Sequence, residues 1–190
     1  RYPNEDLLNS MYKNSIDKII FKSGRIQTFQ NGNFTKNIKS VEDFESVSIT
    51  QLESEVKGLF KISEISSRAV GKSSIAKVEV VKERAYRKLK IEAAMRGANT
   101  IYLMDQKTEG NVWNAFPGAG HNAYTNLSGI AYTNKLLNFS EFKDKISSTT
   151  EFKVYKEYIM KKTRGDLETK PSKSILLIQE VTEENGFIYI

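Results

Sequence analysis

The chain has no cysteine and a single histidine, His121. Without thiols it builds no disulfide framework, thiolate nucleophile or zinc ribbon, and one imidazole leaves no set for a histidine-based triad. The lack of cysteine leaves the redox compartment open. No window of about 18 apolar residues exists, so no helix of this sequence is expected to span a bilayer. Prolines number three, and the 39% apolar and 27% charged residues are the balance of an ordinary globular chain.

What is present bounds the rest. A length of 190 residues suits one domain with a real core or two small units. The chain opens on Arg1-Tyr2-Pro3 with no initiator methionine and no signal-peptide pattern, which reads as a processed or trimmed product. A net charge of +6 makes acidic partners reasonable. The excess is spread out, however, and in the central helix Lys82, Arg84, Arg87, Lys88 and Lys90 interleave with Glu79, Glu83 and Glu92. That pattern reads as a solvated helix face rather than the stripe of a nucleic-acid binder.

Periodicity places the elements. Leu7, Leu8, Met11 and Tyr12 after Asn4 suggest a short amphipathic helix over residues 4–16. Turn signals at Ser23-Gly24 and Asn31-Gly32 predict two hairpins or a meander between Ile16 and Ile49. Thr50 with Glu53 imitates a capping box, whereas the residues after it favour a strand from Val56 to Ile65. Val78, Val81, Ala85, Leu89 and Ala93 form one apolar stripe and predict a helix from Ser74 to Arg96, with Gly97 as its left-handed cap. Strands follow at Asn99–Thr108 and Asn126–Asn134, joined by a long hairpin loop from Glu109 to Thr125 that is expected to be mobile. Downstream come a capped helix at Asn138–Ile146, an ambiguous run at Thr150–Ile159, and a hairpin at Lys173–Ile190 turning at Asn185-Gly186.

The stretch Ala85–Leu103, with Ala85, Leu89, Ala93 and the Gly97-Ala98-Asn99 turn into an apolar strand, resembles the helix-to-strand signature of the YbjQ-like proteins. It is also similar to the core of the envelope-stress-sensing lipoproteins of the Rcs phosphorelay, whose closing strand Ala123–Lys135 resembles. The likeness runs from about Val56 to Lys135. It implies a small α+β unit, a helix packed on a sheet, in a protein of the cell envelope or secreted space. The stress sensors are held by disulfides and the YbjQ-like proteins are suspected of binding heavy metals. A chain without cysteine and with one histidine inherits neither property.

Residues 66–73, Ser-Ser-Arg-Ala-Val-Gly-Lys-Ser, imitate a phosphate loop in which Gly71, Lys72 and Ser73 would cradle phosphate and Asp105 would help hold magnesium. Ser66 stands where that motif needs its first glycine, and only one strand-helix unit is visible, so a basic loop before a helix is the plainer reading. Gly118 and Gly120 form no complete dinucleotide fingerprint. The carboxylate pairs Glu53/Glu55 and Glu183/Glu184 lack calcium-loop or glycosidase spacing and read as surface charge. Tyr155 and Tyr158 among the basic residues of Lys153–Arg164 imitate a single-strand nucleic-acid binder. In the long loop, Trp113, Phe116, His121 and Tyr124 are candidates for contact with a partner, because large aromatics beside glycines supply area with few torsions to freeze.

The sequence therefore predicts an α+β architecture with a central amphipathic helix on a mixed or antiparallel sheet and flanking β-hairpins. It divides into residues 1–50, a core over 51–138, and 139–190, with all three compatible with one compact domain. The functional expectation is a non-catalytic envelope or secreted protein working through contacts with an unidentified protein partner. No cofactor or metal is expected, and nucleic acid is disfavoured. The alternatives are a nucleotide-binding enzyme using residues 66–73 and single-stranded nucleic-acid binding through residues 153–164.

Overall fold

The computed structural model describes residues 18–28, 38–73, 75–112, 120–146, 151–161, 165–184 and 187–189. In chain order these form β1 (Lys18–Ile20), β2 (Ile26–Thr28), a 3-10 helix (Val41–Ser46), β3 (Ser48–Thr50), α1 (Glu53–Val56), β4 (Phe60–Val70), α2 (Val78–Met95), β5 (Thr100–Glu109) and β6 (Tyr124–Thr133). After them come α3 (Phe139–Ile146), β7 (Glu151–Lys153), β8 (Lys156–Met160), β9 (Leu167–Pro171), β10 (Ile175–Leu177), β11 (Thr182–Glu184) and β12 (Phe187–Tyr189).

The apolar stripe of α2 dictates the centre of the molecule. Val81, Ala85, Leu89, Ile91, Ala93 and Ala94 are buried along it, against Ile65 and Ala69 of β4, Ile101 and Leu103 of β5, and Leu127 and Ala131 of β6. The sheet beneath is four-stranded in the order β3-β5-β6-β4, with β3 parallel to β5 and the other two pairings antiparallel. The fold is thus α+β, a helix packed on a mixed sheet. Because β4 and β5 each lie antiparallel to β6, they point the same way. The unit β4-α2-β5 is a split βαβ with β6 inserted in its middle.

Two glycines make this packing possible. Gly97 lies at φ +73 and ends α2 in a Schellman motif: its N–H donates to the Ala94 carbonyl at 3.0 Å, and the Ala98 N–H donates to that of Ala93 at 3.0 Å. Ala98 is fully buried, so the turn also seats the start of β5. Gly129 faces a β-bulge between Leu103 and Asp105, where a Cβ would stand 2.5 Å from the Tyr102 carbonyl oxygen.

The link from β3 to β4 crosses from one sheet edge to the other, opposite in sense to the β4-α2-β5 link. Right-handed crossover for both puts α1 on the face that α2 leaves uncovered. Consistently, α1 contacts β5, and Val56 is buried yet lies outside the core cluster beneath α2. The β8-β9 hairpin packs on the helix side, with Tyr158, Met160 and Leu167 against the core. Separate two-stranded ribbons are β1-β2, β7-β10 and β11-β12.

Several sequence expectations change in detail. Ser23-Gly24 does turn a hairpin, β1-β2, but Val41–Ser46, expected within a hairpin or meander, is a 3-10 helix that leads into β3. There Ser40 caps the Glu42 N–H while Asp43 accepts from the main chain of Ser40, a reciprocal box that favours a helical turn over extension. In the next segment the Thr50–Glu53 capping box does not form, since the turn that follows has Leu52 at its N-cap with no side-chain cap bond. The Thr50 hydroxyl accepts from the Leu52 N–H and a single helical turn forms, then Gly58 at φ +84 redirects the chain into β4, later than the expected Val56 start. Helix α2 begins at Val78 instead of Ser74, because the preceding residues are held by tertiary bonds such as Asn111 Nδ2 donating to the Ala76 carbonyl. The expected hairpin over 173–190 is shorter, β11-β12 alone, since β10 pairs with β7. The helix expected over 4–16 and the Asn31-Gly32 and Asn185-Gly186 turns lie outside the described residues.

Candidate functional site

Strand β6 alternates strictly between buried and half-buried residues. Thr125, Leu127, Gly129, Ala131 and Thr133 are its buried set, so Tyr124, Asn126 and Ser128 belong to the opposite face. Cross-strand partners share a face, and register builds three rows there. Tyr124 lies between Val70 and Glu109, Asn126 between Arg68 and Lys107, and Ser128 between Ser66 and Asp105. Exposed apolar residues border them: Val70 is 43% and Met104 61% accessible.

Tyr124 is the hub of this surface. The Arg68 guanidinium carbon and the Lys107 ammonium lie 5.8 and 5.9 Å from its ring centre, and the His121 ring lies 5.5 Å away, tilted by 59°. Glu109 ties the group together, with Lys107 Nζ at 2.9 Å and His121 Nε2 at 3.4 Å from its carboxylate oxygens. Hydrogen bonds from the Tyr124 hydroxyl and then from Lys107 hold Glu109 below its ordinary pKa. The bond to Glu109, the first of several causes, raises Lys107. Glu109 and Lys107 thus form an exposed ion pair beside the Tyr124 ring, an arrangement that presents charge of both signs at this surface.

The base of the long loop positions His121. Val112 and His121 form a β-bridge; Asn111 Oδ1 accepts from the Ala123 N–H at 2.8 Å, and Asn122 Nδ2 donates to the Gly71 carbonyl at 3.1 Å. Ala123 is fully buried. Both ends of the Glu109–Thr125 loop are therefore pinned by side-chain amides, while Trp113 and Phe116 lie outside the described residues. Of the four contact candidates, the structure brings His121 and Tyr124 together. Sequence reasoning missed Arg68, Lys107 and Glu109, which become their neighbours only through strand register.

The phosphate-loop candidates are not gathered. The Gly71 N–H donates to the Ala123 carbonyl at 2.7 Å, Lys72 and Ser73 are exposed, and the helix starts only at Val78. Asp105 shares a row with Ser66 on the face away from α2, four strand residues before Glu109. At about 3.3 Å per residue that is about 13 Å along the sheet. In the 153–164 segment, Tyr155 is 78% accessible, but Tyr158 packs on the core. Lys156 and Lys161 pair with Glu42 and Glu168 at 3.5 and 3.0 Å.

Among the described residues no cluster of three or more acidic or imidazole side chains could hold a metal ion, and no helix is long and apolar enough to cross a membrane. In comparisons with known proteins, no family model, curated protein or solved structure matches the chain.

Proposed function

We propose that this is a non-catalytic binding protein of the cell envelope or secreted space, and that it engages a protein partner through the Tyr124 face of its sheet. The observation that carries the reading is the grouping of Tyr124, Arg68, Lys107 and His121 on one half-exposed surface bordered by Val70 and Met104. Tyrosine, arginine and methionine are the residue types enriched at recognition surfaces. The exposed Glu109–Lys107 ion pair at 2.9 Å adds charge of both signs to this surface, which supports electrostatic recognition. The envelope setting rests on the resemblance to YbjQ-like proteins and stress-sensing lipoproteins.

A photo-crosslinking amino acid placed at Arg68 in the producing cell should yield a discrete protein adduct, and one at the exposed Lys82 of α2 should not. Cell fractionation of the tagged chain should recover it from the envelope or medium. Adducts from Lys82 alone, or none from either position, would overturn the surface assignment. The nucleotide alternative predicts a thermal shift with Mg·ATP that is lost in Lys72→Ala; no shift at millimolar ATP supports the contact reading.

A further inference from the structure

At the end of the sheet away from Tyr124, a cleft of about 540 Å³ opens between the Gly97 turn, the chain leaving β6, and Ile62 of β4. That volume lies within the range of about 300–1,000 Å³ usual for small-molecule sites. Its apolar lining comes from Ile38, Ile62, Leu136, Leu137 and Ile188, and the charged residues among its described lining are Lys39, Arg96 and Lys135, with Glu141 close enough to feel the Lys135 charge. Arg96 is partly neutralised by Glu92 at 2.7 Å. The α2 carbonyls at Ala93 and Ala94 that could repel an anion are taken up by the Schellman bonds. We infer that the cleft binds a soluble single-chain amphiphile with an anionic head, its aliphatic body along the isoleucine and leucine wall and its head between Lys39 and Lys135. This site is independent of the Tyr124 face.

The chemistry makes two demands on binding. Each methylene laid on the wall should raise affinity about three- to fourfold, and the anionic head should be required. The probes are octanoate, decanoate and dodecanoate below their micellar concentrations, read by calorimetry and by amide NMR shifts at Gly97, Asn134 and Leu137. Expected are affinity rising along the series, shifts confined to the cleft, and a loss of about fivefold or more in Lys39→Ala/Lys135→Ala with unfolding temperature unchanged. Lys82→Ala should bind as the native chain does. The inference fails if octyl glucoside, an uncharged amphiphile, binds as well as the carboxylates, or if chain length has no effect. It fails equally if the double variant binds normally, or if only vesicles of anionic phospholipid, and no free carboxylate, produce the shifts. Should the double variant prove unstable, Ile62→Trp takes its place: it fills the cleft from the wall and should abolish the shifts.

Discussion

Gly97 and Gly129 are glycines for different reasons, and alanine separates them. At Gly97 a Cβ would meet nothing within 4 Å, so the cost is the left-handed backbone alone, about 1–2 kcal/mol. At Gly129 the backbone conformation is open to other residues, but the Cβ would press on the Tyr102 carbonyl at 2.5 Å and on the Leu103 Cα at 3.3 Å. Chemical denaturation of Gly129→Ala should show a loss of about 1–3 kcal/mol together with NMR shifts at Tyr102 and Leu103. Gly97→Ala should lose stability with shifts confined to the helix end. Gly97 was legible in the sequence, since a glycine closing an apolar stripe has a known use. Gly129 was not, because its requirement comes from a bulge in the neighbouring strand.

At the scale of elements, the charges of α2 have a structural use that composition hid. Strand β4 is an outer edge of the sheet. Arg84 Nη2 donates to the Val70 carbonyl at 2.7 Å and Lys88 Nζ to that of Arg68 at 3.0 Å, while Lys90 reaches the Glu45 carbonyl at 3.0 Å. The basic positions read as solvated thus include three that reach across to other elements. Burial, then the nearby Arg84 charge, lowers the Lys88 pKa; its folded form gives up a proton more readily, so its contribution to stability improves as pH rises toward the ordinary lysine value. An Arg84→Ala/Lys88→Ala variant should lose about 1 kcal/mol and bare the β4 edge, raising self-association in light scattering relative to a Lys82→Ala control. Helix α2 and strands β4 to β6 were readable because their periods are long and clean. The 3-10 helix was missed although Ser40 and Asp43 display its capping box, and β10 pairing with β7 was illegible because a three-residue strand carries too little pattern to name its partner. The Tyr124 group was half legible: aromatics in a loop announce themselves, but register decides who stands beside them.

For the whole molecule, Glu109, Glu141 and Glu168 are each held below the ordinary glutamate value, by Tyr124 and Lys107, by Lys145, and by Lys161 respectively. A carboxylate depressed on folding stabilises the native state above its unfolded pKa and loses that effect as pH falls through the folded value. Unfolding temperature should therefore decline as pH drops below about 4.5, and Glu109→Gln should narrow the difference between neutral and acid conditions without removing it. The place of β6 has a consequence for the order in which the molecule can be assembled. Until residue 124 is made, β4 has no strand neighbour and β5 has only the short β3 beside it, so α2 has no continuous floor to lie on. A chain ending at Glu109 should show little protection of its amides from hydrogen exchange. In the full protein, protection of β4, β5 and β6 should appear together in one refolding phase, because β6, the last strand of the central sheet in chain order, is the one that joins the others.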